Sequence, residues 1–435
     1  MSETTESKPT DSKQTTNEQP TIQKISQRRI LRDVFFVVIV IAGILAFLLW
    51  PKAQVEIPMR TLSQLPYVFN EDYYKKLDTY LHQLNHEKIL VLYGPQGVGK
   101  TAGIFDFIQR LNKQEGRLII DFDFSQLTKY SNIFDLTSYL QYNVLHSLQL
   151  FVKNTRGGNL KYISPIIAKY DNICPQGFNP VDISFIKDQT LYNVTKQFND
   201  KLSYLTKSPQ LASRSFFESL NALSDVAGPI VFVHSPEILI GAKSKSVRDV
   251  VQSIISEAEK SALNGNLTVV FEISDLTAFI DGRFHPARYQ YLLTEVQEFS
   301  PRNAEKPFIK GNHFTRQQFQ EIEPICRGNG KCYSMINTML NDGMSLKDSL
   351  EEIENDAKRK VYSSFATLNN TADALGFFKE IITNGNIPIE KSKEFSLHFL
   401  HHDVVSIANN TRITFQNAAT LKAARALVGN AKINK

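Results

Sequence analysis

Lys88–Leu111, KILVLYGPQGVGKTAGIFDFIQRL, is the stretch that decides the fold. It starts with ILVLY, a short apolar run of the kind found in a parallel strand covered on both faces. The next residues, GPQGVGKT, match the phosphate-binding pattern G-x-x-x-x-G-K-[ST], and a helix-like AGIFDFIQRL follows. Four residues carry the match: Gly94, Gly99, Lys100 and Thr101. The order of strand, glycine-rich loop and helix predicts an α/β domain that binds a nucleoside triphosphate.

The chemistry of such a loop assigns a role to each part of it. Glycines let the backbone N–H groups wrap around phosphate oxygens, and the N-terminus of the following helix adds a partial positive charge. We expect Lys100 to reach the β- and γ-phosphates and Thr101 to ligate Mg²⁺. The predicted nucleotide-binding residues are contiguous: Gly94, Pro95, Gln96, Gly97, Val98, Gly99, Lys100, Thr101 and Ala102.

Three further apolar runs predict the rest of a parallel sheet. They are RLIIDFDF (117–124), GPIVFVHSPEILI (228–240) and NLTVVFEISDL (266–276). Residues from about 125 to 227 read as mostly helical, and SVRDVVQSIISEAEKSAL (246–263) predicts a helix between the last two strands. We therefore predict the three-layer α/β/α parallel sheet of a P-loop NTPase, with the nucleotide at the carboxyl ends of the strands.

The strand after the helical segment is where hydrolysis by this class of domain needs an acid. An acidic residue at its end holds Mg²⁺ through water, and a neighbouring carboxylate orients the attacking water. The sequence VFVHSPE puts His234 and Ser235 at those places, and Glu237 lies two residues further on. A histidine there acts as a metal ligand, as a general base or as a polar cap beside the nucleotide. The candidate catalytic residues are Lys100, Glu237 and His234, and we expect hydrolysis to be slow or degenerate.

Other residues near the predicted strand ends are weaker candidates. Asp121, Asp123 and Glu272 offer substitute carboxylates. Ser274 is either a contact for the γ-phosphate or a simple strand-end hydroxyl. The loop DGRFHPARYQ offers two arginines, either for a phosphate in a neighbouring subunit or for solubility alone: Arg283 and Arg288.

The N-terminal region divides into a polar tail and an apolar segment. Residues 1–33 begin with a stretch rich in Ser, Thr, Gln and Lys, so we expect this tail to be disordered. Val34–Trp50 is uncharged and almost wholly apolar, and as a helix it would span about 25 Å, near the lower limit for a bilayer core. Arg32 and Lys52 flank it and can snorkel to the interface. We predict a single transmembrane helix over Val34–Trp50.

The basic residues beside this segment favour one orientation. Those before it outnumber those after it: Lys24, Arg28, Arg29 and Arg32 against Lys52 and Arg60. The positive-inside rule then leaves the tail in the cytosol and places the large domain across the membrane, in a lumen. A cytosol-facing domain is the alternative, because the domain needs nucleotide.

Composition describes a globular, mildly basic chain. The 435 residues are 42% hydrophobic and 21% charged with a formal net charge of +5, which suits a sizeable core and more than one domain but names no partner. Cys174, Cys326 and Cys332 have neither CxxC nor Cys/His metal spacing. We expect ordinary thiols and no zinc site, the alternative being a Cys326–Cys332 bridge if the domain is lumenal.

The C-terminal third reads as two helical parts. HFTRQQFQEIEPICRGNGKCYSMINTML predicts a helix, a glycine-bearing turn and a second helix. The end of the chain predicts a helix, a strand VVSI, a tight turn at Asn409–Asn410, a strand RITF and a last helix, which is the pattern of a winged helix. Before the terminal lysines that last helix carries only Lys422 and Arg425, so we expect packing or regulation rather than nucleic-acid binding.

Together these features resemble the AAA+-related STAND superfamily, in particular its archaeal-type ATPase branch. The resemblance spans about Tyr67–Val428 and rests on the phosphate loop, RLIIDFDF, VVFEISD, CRGNGKCYSMI and the final winged-helix pattern. It implies ATP as the nucleotide, a lid around Arg327–Lys331, and switching or self-association. The chain departs from the family pattern at His234 and Ser235, and at Lys331, where a proline is common.

The resulting prediction is a membrane-anchored, ATP-binding switch with a membrane-associated protein partner and a capacity to form homo-oligomers. The alternatives are an active oligomeric ATPase that remodels membrane-associated proteins, and a non-hydrolysing scaffold.

A helix in which Tyr73, Leu77, Leu81 and Leu84 share one face precedes the phosphate loop. The predicted parts are a tail (1–33), a transmembrane helix (34–50), a linker with this leading helix (51–86), the NTPase core (87–305, with its insertion at about 125–227), a helical lid (306–365) and a winged-helix-like domain (366–435).

Overall fold

The computed structural model describes residues 35–36, 71–82, 89–114, 116–128, 130–155, 160–168, 181–265, 267–273, 291–311, 313–408 and 411–433. Among these residues, no helix is long and apolar enough to cross a membrane. The predicted transmembrane segment Val34–Trp50 lies outside them except for Phe35 and Phe36. The predicted tail, the linker residues 51–70 and the turn Asn409–Asn410 also lie outside them. Elements are numbered below in chain order over the described residues.

A five-stranded parallel sheet forms the centre of the main domain, in the order β2-β3-β4-β1-β5. Its strands are β1 (Ile89–Tyr93), β2 (Ile119–Asp123), β3 (Ile230–His234), β4 (Thr268–Glu272) and β5 (Tyr291–Glu295). The register pairs Asp123 with His234 and His234 with Glu272, so three strands end side by side with polar residues. This parallel sheet with its helices fits the P-loop NTPase fold that the sequence predicts.

The helices around the sheet follow the apolar patterns of the sequence. They are α1 (Glu71–His82), α2 (Lys100–Gln114), α3 (Ile133–Asn154), α4 (Leu160–Ala168), α5 (Gln189–Ser203), α6 (Pro209–Asn221), α7 (Ser224–Ala227), α8 (Glu237–Ile240) and α9 (Lys245–Leu263). The leading helix α1 buries Tyr73, Leu77 and Leu81 in one core cluster with α2 and the sheet, as its periodicity predicts. The inserted segment is helical, and its first long helix begins at a capping box between Asn132 and Asp135.

Two local features differ from the expectations. The run GPIVFVHSPEILI is a strand only as far as His234, because Ser235 takes a left-handed conformation (φ 49°) and the chain then turns into the short helix α8. The strand β5, which the sequence does not predict, has the sequence YLLTE and is only partly buried at the sheet edge. An edge strand lacks the continuous apolar run that reveals a central one.

The chain after the sheet is mainly helical. Its helices are α10 (Pro301–Lys310), α11 (Arg316–Cys326), α12 (Gly330–Asn341), α13 (Leu346–Ala366), α14 (Thr371–Asn384), α15 (Lys393–His401) and α16 (Ala418–Ile433). Strands β6 (Ile387–Pro388), β7 (Val405–Ala408) and β8 (Arg412–Phe415) form a small antiparallel sheet in the order β6-β8-β7. Phe365, Phe378, Phe399 and Phe415 pack together from α13, α14, α15 and β8, with the Phe378 and Phe399 ring centres 4.6 Å apart. The helix, strand, strand, helix pattern of the sequence is thus present in α15, β7, β8 and α16.

The expectation of ordinary thiols is wrong for two of the three cysteines. Cys326 and Cys332 form a disulfide with their Cα atoms 5.4 Å apart, which was the alternative interpretation. They meet because Arg327 and Gly328 both adopt positive φ angles, 43° and 81°, and fold the chain back between α11 and α12. Cys174 lies outside the described residues.

Tyr80 of α1 supplies a buried hydrogen-bond bridge that anchors this helix to the sheet. Its hydroxyl donates to Val269 O at 3.2 Å and accepts from Leu90 N at 3.2 Å. We expect Tyr80→Phe to cost about 1–3 kcal/mol of unfolding free energy because it leaves two buried backbone groups without this partner. Urea denaturation of the full-length chain measures the cost. The exposed Tyr362→Phe in α13 is the matched control and should be neutral; equal midpoints for both variants would contradict the bridge.

Candidate functional site: the phosphate loop and the acid facing it

The loop between β1 and α2 has the backbone that the motif requires. Gly94, Gly97 and Gly99 have φ angles of 150°, 86° and 86°, which side chains with a Cβ rarely adopt. A Cβ on Gly94 would lie 2.3 Å from Val296 O, and one on Gly97 would lie 2.5 Å from Asn329 Oδ1. The glycines are therefore required both by the turn and by the close approach of other parts of the chain.

Lys100 and Thr101 open helix α2 at the inner end of the loop. The Lys100 ammonium is buried and donates to Gly94 O at 2.9 Å and Pro95 O at 3.1 Å. Burial lowers the pKa of Lys100, and the carboxylates of Glu272 and Glu237 oppose that change. A cation, a helix N-terminus and a glycine-rich turn thus converge on one point, which is the arrangement that binds phosphate.

An acid does face the loop, but it comes from β4 and not from β3. Thr101 Oγ1 donates to Glu272 Oε1 at 2.6 Å, and Glu272 is almost completely buried. Burial alone would raise the pKa of Glu272, but hydrogen bonds from His234 and Thr101 and the charge of Lys100 lower it. Glu272 is therefore held as a carboxylate next to the residue predicted to ligate Mg²⁺.

His234 connects Glu272 to a second carboxylate. Its Nδ1 lies 2.5 Å from Glu272 Oε2, and its Nε2 lies 2.7 Å from Asp121 Oδ1. Burial opposes protonation of His234, yet the two carboxylates outweigh it and raise its pKa well above the ordinary value. The imidazolium form suits both contacts: it donates a hydrogen bond from Nδ1 to Glu272 and forms an ion pair with Asp121 at Nε2. Asp121, His234 and Glu272 form a charged chain across β2, β3 and β4.

The other sequence candidates occupy different places. Asp123 caps the turn after β2, where its carboxylate accepts from Ser125 N and Oγ. Glu237 begins α8 and acts on Lys100 through its charge. Three candidates lie outside the described residues: Ser274, Arg283 and Arg288. Of Glu237 and the three substitute carboxylates, the structure brings Glu272 into contact with the loop threonine.

The turn Arg327–Lys331 lies directly on the outer face of the phosphate loop. Lys331 N donates to Gly97 O at 3.2 Å, and Asn329 Nδ2 donates to Gln96 O at 2.9 Å. The Lys331 ammonium also donates to Gln96 Oε1 at 3.0 Å. The sequence marks this turn by its glycines, but nothing in it indicates that Asn329 and Gln96 meet across more than two hundred residues.

The small C-terminal sheet reaches the same loop. With its side-chain amide oriented to suit its neighbours, Gln416 donates to Val405 O at 3.2 Å and accepts from Gln96 N at 2.6 Å. Beside it lies a cavity of about 640 Å³ whose wall includes Pro95, Glu298, Arg327 and Arg425. Burial raises the pKa of Glu298 to about 7, although Arg327 lowers it. The phosphate loop is thus in contact with both the turn and the C-terminal sheet.

Comparison with known proteins yields similarity in structure only. No protein-family model and no curated protein matches the chain. A Walker-type ATPase of Pyrococcus abyssi superposes with a TM-score of 0.45 at 14% identity, covering 82% of this chain and 96% of that one. The Cdc6 protein of Pyrobaculum aerophilum (TM-score 0.35, 12% identity, 86% and 98% covered) and the ORC1 protein of Aeropyrum pernix, solved with DNA (0.34, 12%, 85% and 95%), are also similar. Scores this low carry no argument about this chain.

The residues of the site fit a magnesium nucleotide. The glycine backbone, Lys100 and the N-terminus of α2 suit phosphate oxygens, and Thr101 with Glu272 suits Mg²⁺, which binds through few protein oxygens and keeps several waters. Within the described part of the chain, no group of three or more His, Cys, Asp or Glu side chains is arranged to hold a metal.

The raised pKa of His234 makes stability depend on pH. Above its ordinary value of 6.5 the unfolded chain gives up the proton that folded His234 keeps, so stability falls as pH rises, by about 1.4 kcal/mol per pH unit while the difference persists. We expect His234→Gln to lack this slope above pH 7 and to be less stable at pH 7 by about 3–5 kcal/mol.

Thermal or urea unfolding of the full-length chain between pH 7 and pH 9 measures both effects. His82→Gln, at an exposed histidine of α1, is the matched control and should keep the wild-type slope. Identical slopes in the wild type and His234→Gln would show that the buried histidine is neutral.

Proposed function

We propose that this chain is an ATP-binding module of the AAA+/STAND type that works as a nucleotide-dependent switch. The observation that carries the proposal is that one loop, Gly94–Thr101, contacts three separate parts of the chain. Glu272 meets Thr101. Asn329 and Lys331 of the turn meet Gln96 and Gly97, and Gln416, the residue after β8, meets Gln96. Any shift of the loop on binding a nucleotide reaches both C-terminal elements through these contacts.

ATP supplies an electrophilic γ-phosphorus and a good leaving group, and this chain supplies the positioning. Lys100 and the α2 N-terminus would neutralise phosphate charge, and Thr101 and Glu272 would hold the Mg²⁺ that accompanies it. His234 keeps Glu272 ionised and fixed, with Asp121 fixing His234 in turn. The two carboxylates raise the pKa of His234 and so favour its protonated form, which donates hydrogen bonds; we therefore propose that it positions Glu272 rather than accepting a proton. We propose slow hydrolysis with Glu272 in the role usually filled from β3, and Glu237 as the candidate for orienting water.

The second candidate function is an active, oligomeric ATPase that remodels membrane-associated proteins. One observation favours it over a non-hydrolysing scaffold: the carboxylate at the loop is retained, although its strand has changed. A scaffold has no need for a buried carboxylate held on the loop threonine. Self-association stays a proposal, with Arg283 and Arg288 as candidates for contacting a neighbouring subunit.

The partner we propose is a membrane-associated protein rather than a nucleic acid. In the last helix the Lys422 ammonium lies 2.5 Å from Glu354 of α13, and Arg425 lines the cavity beside the phosphate loop. Both side chains are exposed, but Lys422 is paired with an acid of the same chain, and this ion pair supports a packing role for α16. DNA binding by the C-terminal module is the competing outcome.

We propose that Val34–Trp50 anchors the chain in a membrane, with the tail in the cytosol and the large domain in a lumen. The flanking basic residues favour this orientation. The Cys326–Cys332 disulfide supports it, because disulfides persist in oxidising compartments. A cytosol-facing domain remains the alternative.

Titration of the full-length chain with a fluorescent ATP analogue and Mg²⁺, while phosphate release is followed, tests the function. We expect saturable binding with slow release, and we expect Lys100→Ala to weaken binding by at least about tenfold, which corresponds to roughly 1.4 kcal/mol, because it removes the buried ammonium. Lys310→Ala, at an exposed lysine of α10, is the matched control. Rapid Lys100-dependent release would favour the remodelling ATPase, and no binding would leave the scaffold.

A further inference from the structure

The turn that touches the phosphate loop is closed by the disulfide. Cys326 is the last residue of α11, and Cys332 is the third residue of α12, so the bridge encloses the whole of Arg327–Lys331. Two of these five residues, Asn329 and Lys331, hydrogen bond to Gln96 and Gly97. The disulfide therefore closes the segment that contacts the phosphate loop.

The conformation of this turn needs external support. Arg327 has φ 43°, a left-handed conformation that costs a residue with a Cβ some stability. Gly328 packs so closely that a Cβ would lie 2.0 Å from Phe299 O, and Gly328 O accepts from Phe299 N at 3.1 Å. The disulfide, the contact with Phe299 and the cap of α12 by Asn329 together hold it. Loss of one of these supports loosens a turn that is unfavourable by itself.

A displacement of the turn would move the phosphate loop because the two segments are in close contact. A Cβ on Gly97 would lie 2.5 Å from both Asn329 Oδ1 and Lys331 Cβ, so no gap separates the two segments. Two backbone carbonyls of the loop, Gln96 O and Gly97 O, accept from the turn. These bonds fix the orientation of the peptide units whose N–H groups are the phosphate donors of such a loop.

We infer that the Cys326–Cys332 disulfide is a redox control of the nucleotide site, with the oxidised form holding the phosphate loop ready for ATP and the reduced form binding ATP more weakly. The inference rests on the proposed function for its ligand. What it adds is that a dithiol reductant regulates that site. Small dithiols and protein dithiols both belong to this class of reductant.

The two sulfur atoms differ in access. Cys326 is completely buried, whereas Cys332 is partly exposed and lines a small cleft with Gln96 and Asn329. A thiolate of the reductant attacks Cys332 Sγ, which breaks the S–S bond and leaves Cys326 as a thiolate that takes up a proton. The reductant's second thiolate then attacks its own sulfur in the mixed disulfide and releases Cys332. Two electrons pass from the dithiol to the cysteine pair, and the reductant leaves as a disulfide.

The experiment compares the full-length chain in its oxidised form and after treatment with dithiothreitol, using a fluorescent ATP analogue with Mg²⁺. Mass spectrometry after alkylation confirms which cysteines are bridged. We expect reduction to raise the dissociation constant by about fivefold or more, in the range typical of coupled sites. The double variant Cys326→Ser/Cys332→Ser should match the reduced protein and ignore the reductant. Cys174→Ser is the matched control and should respond like the wild type.

Amide hydrogen exchange on the wild type reads the turn without relying on ATP binding or on variants that fold poorly. Reduction should speed exchange at Lys331 N and Phe299 N, whose hydrogen bonds anchor the turn. If neither form binds ATP, the proposed function fails, and faster exchange would still support control of the turn. Three results would each overturn the inference. They are an ATP affinity and an exchange rate that both stay unchanged on reduction, tighter binding after reduction, and free thiols at Cys326 and Cys332 in the untreated protein.

Discussion

The hydrogen bond from Thr101 to Glu272 is the contact on which the site depends, because it fixes an ionised acid at the inner end of the phosphate loop. A buried carboxylate is costly unless charged partners surround it. Here His234 and Lys100 supply positive charge, and Asp121 balances His234 in turn. The chain of charges runs across the adjacent strands β2, β3 and β4, and the order of this parallel sheet brings the three side chains together. The protein thus has a buried acid at the inner end of the phosphate loop although β3 ends in histidine.

The phosphate loop contacts residues from both the sheet and the C-terminal third of the described chain. On its inner side it faces the charged residues of β2, β3 and β4, and on its outer side it carries the turn Arg327–Lys331 and Gln416. Binding energy released on one side can therefore change contacts on the other, which is what a switch requires. The disulfide lies on the outer side, so it can change the loop without touching the residues that would hold phosphate.

Much of the fold could be predicted from local patterns, whereas the chemistry of the site depended on register and long-range contacts. Strong local signals in the sequence mark the phosphate loop, the strands β1 to β4, the leading helix and the final helix, strand, strand, helix pattern. The edge strand β5 lacked an apolar run, and Ser235 ended β3 through a left-handed residue that no pattern marks. Four carboxylates were plausible replacements for the missing acid, and only the pairing of β4 beside β1 places Glu272 on Thr101. The disulfide likewise depended on the fold-back at Arg327 and Gly328.

The most direct measurement is the Mg²⁺ dependence of ATP-analogue binding by the full-length chain with Glu272→Gln, beside Glu237→Gln as the matched change at the other nearby acid. Glutamine keeps the shape of Glu272 and an oxygen for Thr101 but removes the negative charge. If Glu272 holds the metal, Mg²⁺ should tighten binding by the wild type and by Glu237→Gln by about tenfold or more, and Glu272→Gln should lose most of that gain. Full retention of the Mg²⁺ effect in Glu272→Gln, with its loss in Glu237→Gln, would contradict the assignment and make Glu237, at the start of α8, the acid that holds the metal.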